Sequence, residues 1–322
     1  MRPLHIGIIG CGRMGRLHSQ RLREDGRGVV QLLFDQDAQA AQALNVELDL
    51  EAHIAPTWAD VLSAELDAVI VCTPTTSHHD QVLAALDRGW HVLCEKPLAE
   101  SKERIEALIA AAHASPLRTM LGYQRRCWAT YRTLRKELQS GRWGELRAVT
   151  YHNVERWEQT IAGTWRDDPA INIGGFLGDA GSHKLDILHF VTGRTLSQVQ
   201  ARSSDSCSAV PIITTVIGTL DGEIPLALDF IGNAQYLGED LHLHCAEADL
   251  MLRDRKLWIA RANNIEPLPL AAVETNPVAA FLDLVLDGSE NIAPFDCARP
   301  VWDATMAILA SAETTSAGTH NR

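Results

Sequence analysis

The chain has 322 residues, 46% of them hydrophobic and 22% charged, which is enough for two cores of ordinary size because one core rarely grows past roughly 250 to 300 residues. Its 29 Lys and Arg against 41 Asp and Glu leave a formal charge of -12, a field that repels phosphate backbones and anionic headgroups and so excludes nucleic acid and membrane surfaces as partners. No apolar run approaches the ~20 residues of a membrane helix, and the start MRPLHIGIIG carries no signal-peptide pattern, so a cytoplasmic globular protein is expected.

Leu4 to Ile9 reads as a short strand. It ends in Gly10, Cys11, Gly12, Arg13, Met14 and Gly15, after which Leu17 and Leu22 take helical spacing. Strand, glycine turn and helix in the spacing G-x-G-x-x-G form a dinucleotide-binding pattern. Gly10 permits the tight turn, Gly12 lets main-chain N–H groups approach a pyrophosphate, and Gly15 lets helix and strand pack closely. The phosphates then sit on the positive end of the helix. Val29 to Phe34 is a second apolar strand, and it ends in Asp35, twenty residues past Gly15, where a carboxylate receives the adenosine ribose hydroxyls and favours NAD. Gln36 and Asp37 bring no cation for a 2′-phosphate, so NADP is disfavoured. The alternative for Asp35 is a helix cap before the Ala-rich segment from Ala38.

Strand and helix then alternate through Ala68 to Cys72, the helix Asp80 to Arg88, His91 to Cys94, the helix Ser101 to Ala114, and Thr119 to Gly122. That alternation specifies a parallel sheet wrapped by helices on both faces. Ligands in such sheets lie beyond the carboxyl ends of the strands, so Cys72-Thr73-Pro74 and Glu95-Lys96-Pro97 face the same crevice as the glycine turn. Beyond about residue 145 the pattern turns β-rich: Leu146 to Val154, Gln198 to Arg202, Ile212 to Leu220, Ile224 to Ile231 and Leu241 to Cys245. Asp221-Gly222 between two of these marks a hairpin. The last residues, Thr314 to Arg322, are polar and expected to fray. Seven cysteines are spread without a C-x-x-C pair, which points to reduced thiols and away from disulfides or a thiolate metal cage.

These residues together resemble the glucose-fructose oxidoreductase, inositol dehydrogenase and rhizopine-catabolism family of NAD(P)-dependent oxidoreductases. The resemblance rests on GIIGCGRMG, TPTTSHHD, GWHVLCEKPLA, GYQRR at Gly122 to Arg126, and WRDDPAINIGGFLGDAGSHKLD from Trp165 to Asp186. It implies an α/β Rossmann domain, residues 1–122, and an α+β domain with an open, mostly antiparallel sheet, residues 123–322, with the active site in the cleft between them. By the same resemblance Thr73, Pro74, His78, Glu95 and Lys96 join Gly10, Gly12, Arg13, Met14, Gly15 and Asp35 on the cofactor. Lys96 stands between nicotinamide and substrate hydroxyl, His183 exchanges the hydroxyl proton, and Asp179 binds and orients substrate. Arg126, Trp165 and Arg166 fall on the substrate side, where guanidinium groups donate to hydroxyls or a carboxylate. Cys127, Trp128 and Ala129 depart from the Phe-x-Pro common in relatives at this place, so the pocket differs in shape.

The residues themselves support part of this. Lys96 ends a strand in the crevice, where burial and a nearby positive charge lower an ammonium pKa; the alternative is a strand-end pair with Glu95. Asp179, His183 and Asp186 are spaced by four and three residues, which on one helix puts all three on one face. A carboxylate one turn from an imidazole fixes its tautomer for acid and base work near neutral pH. The alternatives are a helix cap at Asp179 and an ordinary histidine at 183. Gly174 and Gly175 would let the backbone approach cofactor or sugar, and Asp186 is read as a tether for the helix. His242 and His244 alternate on one strand face with no third ligand, so they are read as surface or interface residues and no metal is expected.

The expected activity is reversible hydride transfer between NAD and a secondary alcohol of a sugar, cyclitol or sugar acid, with Lys96 and His183 managing the hydroxyl proton. Two rivals are an NAD-dependent glycoside hydrolase working by transient oxidation and elimination, and a non-catalytic NAD or sugar sensor. An antiparallel sheet with one bare face is covered most simply by a second subunit, so a homodimer or homotetramer is expected.

Overall fold

The computed structural model describes residues 2–315. The chain forms two compact units: the chain up to Cys127 together with Thr275–Arg299, and Trp128–Glu274 together with the stretch that begins at Pro300.

In the first unit the elements are β1 Leu4–Ile9, α1 Arg13–Asp25, β2 Gly28–Phe34, α2 Ala38–Glu47, β3 His53–Ile54, α3 Trp58–Ser63, β4 Ala68–Val71, α4 Thr75–Asp87, β5 His91–Cys94, α5 Lys102–Ala114 and β6 Thr119–Leu121. The strands form one parallel sheet in the order β3-β2-β1-β4-β5-β6. Ala68, Val69, Ile70 and Val71 of β4 are all buried, the continuous apolar run of a strand covered on both faces. Helix starts carry their own signals. Thr57 and Asp60 make a reciprocal capping box on α3, and Ser101 caps α5 through Arg104 N–H. The helix α4 begins at Thr75 and not at Asp80, because Pro74 at its cap supplies φ -57° while the polar first turn TTSHHD hides the apolar period. The helix Pro277–Leu286 also belongs to this unit. Asn276 caps it by accepting from Val278 and Ala279 N–H, and Arg27 at the end of α1 reaches its Asp283 at 2.6 Å.

In the second unit α6 is Ala129–Gln139, β7 Leu146–Arg156, α7 Glu158–Ile161, α8 Gly175–Gly178 and α9 Ser182–Thr192. The strands that follow are β8 Leu196–Ser204, β9 Ile213–Leu220, β10 Ile224–Ile231, β11 Asn233–Cys245, β12 Asp249–Arg253, β13 Lys256–Arg261, β14 Asn264–Pro267 and β15 Ala312–Thr315. Nine strands pair in the order β14-β13-β12-β11-β7-β10-β9-β8-β15. All pairs are antiparallel except β10 with β7 and β15 with β8. The sheet is open and mostly antiparallel, as expected. The hairpin at Asp221-Gly222 is present with φ of 51° and 80°, the pair of positive values that an inward-twisting two-residue turn requires. Part of the polar tail is not frayed, since Thr314 and Thr315 lie on β15 beside Ser203 and Ser204; residues 316–322 lie outside the described residues.

The sheet is two-faced. Ile224, Leu226, Leu228 and Phe230 of β10 are buried while Pro225 and Ala227 between them are exposed. On the buried side Lys184 of α9, 1% exposed, places Nζ 2.8 Å from Glu239 of β11, and Tyr131 and Tyr151 both donate their hydroxyls to the same carboxylate. Across the other face, register aligns Ile217, Ala227, Thr150, His242, Met251 and Trp258 in one row.

The diglycine has a reason within this unit. Gly175 has φ +57°, and a Cβ there would stand 2.1 Å from the Pro211 carbonyl oxygen. The close approach seen at Gly175 is to Pro211. Gly175→Ala is therefore expected to destabilise the protein by roughly 2 to 4 kcal/mol, read as a lower denaturant midpoint at unchanged slope; an unmoved midpoint would refute it.

Candidate cofactor and catalytic site

Parallel register brings the first unit's chemistry to one edge. Ile9, Phe34, Val71, Cys94 and Leu121 end their strands as paired neighbours, so Gly10, Asp35, Cys72, Glu95 and Gly122 begin the loops at the same level. Main-chain bonds extend the ladder one residue further: Gly10 N–H to Phe34 O at 2.8 Å, Glu95 N–H to Val71 O at 2.9 Å, and Gly122 N–H to Cys94 O at 2.7 Å.

The glycine turn has the shape a dinucleotide needs. Gly10 has φ +97°, and a Cβ on Gly15 would stand 2.0 Å from Gly10 O, whereas a Cβ on Gly12 would meet nothing within 4 Å. Space is thus absent where helix and strand touch and present where a pyrophosphate would lie. Gly12 caps α1 without a side-chain bond, and the first turn holds no acidic residue, so the positive helix end with exposed Gly12 and Arg13 suits an anion. Asp35 accepts from Cys11 N–H at 2.7 Å and from Asp37 N–H at 2.9 Å. It locks the turn to the end of β2, and the cap of α2 is Asp37, which accepts from Gln39 N–H. Burial, with Asp35 beside it, pushes the Cys11 thiol up to about 12, so Cys11 is no nucleophile.

On the neighbouring loops Pro74 is exposed at the cap of α4 and Thr73 donates its hydroxyl to Gln81. His78 is 1% exposed, with Nδ1 2.8 Å from Pro97 O and Nε2 2.8 Å from Thr73 O. Both ring nitrogens face main-chain carbonyls, one of which takes the ring N–H, so His78 braces the two loops. Arg126, placed with substrate from the sequence, is also largely internal: it is 6% exposed, bonds Ile292 O at 3.0 Å, and lies over the Tyr123 ring.

Lys96 is half-buried at the end of β5. Glu95 beside it is buried, with Oε1 2.8 Å from His18 Nε2 and Oε2 accepting the Lys96 main-chain N–H at 3.2 Å. Burial raises the Glu95 pKa, but the His18 bond and the charges of His18 and Lys96 outweigh it and hold the carboxyl below its usual range. His18 was not anticipated. Its signal was a histidine on the buried stripe of α1, which carries Gly15, His18, Ser19 and Leu22.

In the second unit Asp179 accepts from Arg166 Nε at 2.8 Å, and Asn172 Nδ2 holds the Arg166 carbonyl at 2.7 Å. Arg166 and Asp179 are thus brought together. The expectation that Asp179, His183 and Asp186 share one helical face fails. Asp179 ends α8 with φ -90° and ψ -84°, off the helix, while α9 starts at Ser182 and carries only His183 and the fully buried Asp186. Four small residues from Gly178 to Gly181 turn the chain there, and the Asp179 carbonyl, not its carboxylate, accepts from Ser182 Oγ. Trp165 stands on the turn Trp165–Asp167, and its side chain lies outside the described residues. His244 pairs with Asp249 at 3.2 Å beside His242, and no metal-holding cluster occurs among the described residues.

A parallel sheet with a phosphate-shaped glycine turn, joined to an open mixed sheet, defines a two-part nucleotide-dependent class of protein. Residues 4–123 match the model of an oxidoreductase family with an NAD-binding Rossmann fold, and residues 131–248 match the GFO/IDH/MocA C-terminal domain. The chain belongs to the GFO/IDH/MocA oxidoreductase family. It is 27% identical to an inositol 2-dehydrogenase of Rhizobium meliloti (strain 1021), over 62% of this chain and 58% of that one. It is 30% identical to an inositol 2-dehydrogenase of Ralstonia nicotianae, over 72% of this chain and 68% of that one. The chain thus spans less than two thirds of the length of the Rhizobium relative. Among solved structures, an oxidoreductase domain protein from Kribbella flavida superposes with TM-score 0.84 at 25% identity, covering 97% of each chain.

The two inner glycines should separate by experiment. Gly12→Ala is expected to melt like the wild type yet weaken NADH binding about tenfold or more, followed by nicotinamide fluorescence. Gly15→Ala is expected to lower the melting temperature itself, and equal melting of the two variants would contradict the close packing at Gly15.

Proposed function

We propose that the protein transfers hydride reversibly between NAD and a secondary alcohol of a cyclitol, sugar or sugar acid. The observation that carries the reading is Lys96, half-buried at the strand-end edge where the glycine turn also lies. NAD, when bound, supplies the hydride acceptor. Gly10, Gly12, Arg13, Met14 and Gly15 hold its pyrophosphate, Asp35 takes ribose hydroxyls, and Thr73, Pro74 and Glu95 border its nicotinamide end. Asp35 and Asp37 together oppose a 2′-phosphate, which makes NADP the poorer fit.

Lys96 holds the reacting oxygen and, with His183, takes and returns its proton. Asp179, oriented by Arg166, receives a substrate hydroxyl, and Arg166 and Trp165 contact substrate as well. The names of the two inositol dehydrogenases favour a ring polyol. Lys96→Ala or Lys96→Met is expected to keep NADH affinity within about threefold while turnover falls by about 10²-fold or more. The assay is NADH formation with NAD over a panel of cyclitols, aldoses and sugar acids. Full turnover in the variants would remove the mechanism, and free sugar released without NADH would transfer the reading to the hydrolase.

Self-association through the outward sheet face belongs to the same reading. Ile217 on that face is 59% exposed, in the row with Ala227, Met251 and Trp258. The wild type is expected to sediment as a dimer or tetramer at micromolar concentration and Ala227→Arg as a smaller species. A wild-type monomer would end this part of the proposal.

A further inference from the structure

We propose that His18 is a positioning residue for Lys96: from α1 it holds the Glu95 carboxylate, and through it sets the place and the electrostatic surroundings of the lysine at the end of β5. The proposal rests on the reading of Lys96 as the group that handles the hydroxyl proton.

Four observations converge. His18 is 0% exposed and stands on the buried stripe of α1 one turn beyond Gly15. Its Nε2 fixes Oε1 of Glu95, while Oε2 fixes the main chain of Lys96. Gly122 closes the third side, since a Cβ there would lie 2.9 Å from the Glu95 carboxyl carbon. Finally, Nδ1 of His18 is buried with no hydrogen-bond partner among the described residues, a cost that an apolar side chain of similar volume would avoid. A histidine that leaves one nitrogen unsatisfied is poor core filling and is explained by what its other nitrogen does.

The groups that face the carboxylate bear this out. Burial lowers the pKa of Arg21, on the same face of α1, and the charge of Glu95 opposes that fall. Cys72 and Cys94 are driven well above the usual thiol range by burial and by Glu95, so they stay neutral. His78 is buried and feels Glu95 as well. Glu95 is therefore the fixed negative charge of this edge, with Lys96, Arg21 and His18 around it. Removing the His18 bond leaves a buried carboxylate that must protonate or turn away. Either response takes from Lys96 its fixed anion or its main-chain anchor.

The chain holds five lysines, Lys96, Lys102, Lys136, Lys184 and Lys256, few enough for each to be resolved by NMR after ¹³C reductive methylation, with Lys96→Arg identifying the Lys96 signal. In His18→Leu the Lys96 signal is expected to move, because the residue loses the carboxylate that fixes its main chain. His18→Gln, whose amide N–H can meet Oε1, is expected to restore it. NADH binding should stay within about threefold in both variants, and kcat should fall about tenfold in the leucine variant at near-constant KM and recover in His18→Gln. Should His18→Leu show no cooperative melt, His18→Asn, too short to reach Oε1, takes its place. A Lys96 signal and kcat unmoved by loss of the bond, or moved as far in His18→Gln, overturn the proposal. Full activity in Lys96→Ala would instead overturn the reading of Lys96, while the Lys96 signal still decides whether His18 acts on its place.

Discussion

Parallel pairing is the constraint on which the first unit turns. Strands joined by crossover helices all run the same way, so every carboxyl end falls on one edge, and β1, β2, β4, β5 and β6 stop in one hydrogen-bonded row. Residues far apart in sequence then stand side by side without any side chain having to choose its neighbour. Gly10 approaches Cys72 and Thr73 so closely that a Cβ would lie 2.7 Å from the Cys72 carbonyl carbon, and Glu95 reaches α1 within one side-chain length. The turn that would receive phosphate and the lysine that would handle a proton are placed by the same register.

Burying charge along such an edge requires partners, and both units meet that requirement in the same manner. Glu95 is satisfied by an imidazole and a main-chain N–H. In the second unit the Glu239 carboxylate takes one ammonium and two tyrosine hydroxyls. Truncating one member of a buried pair strands the other, at a cost of about 3 to 5 kcal/mol. In each case the network ends one residue from a proposed proton-handling group: Glu95 precedes Lys96, and Lys184 follows His183. Rigidity where a proton changes hands is the gain, because small displacements of a reacting group cost rate steeply.

What could be read from sequence follows the range of the interactions involved. The glycine turn, the alternation of strands and helices and the Asp221-Gly222 hairpin are local, written in spacing and turn chemistry, and the structure has them. The run Asp179, His183, Asp186 misled because spacing by four and three is necessary for a shared helical face but not sufficient. The chain leaves the helix from Asp179 to Gly181, and a Cβ on Gly181 would stand 2.6 Å from the Leu177 carbonyl oxygen. The close approach of Gly175 is to Pro211, which is distant in sequence and leaves no local mark. His78 and Arg126 are polar residues beside a family motif, and only coordinates reveal that His78 lies between two main-chain carbonyls and that Arg126 reaches Ile292 O. The return of Thr275–Arg299 to the first unit likewise leaves no periodic trace, since an apolar helix capped by Asn276 suits either core.

The second sheet divides its work between two faces. Leu226, Leu228 and Phe230 of β10 turn inward, and on β11 Leu241 and Leu243 are fully buried while the alternate residues His242 and His244 are half-exposed. The outward row from Ile217 to Trp258 mixes apolar side chains with Thr150 and His242, and it is flanked by acid–base pairs such as His244 with Asp249 and Arg253 with Asp240. On this border one imidazole engages the Asp249 carboxylate and one guanidinium the Asp240 carboxylate, so opposite charges face each other across the β11–β12 pair.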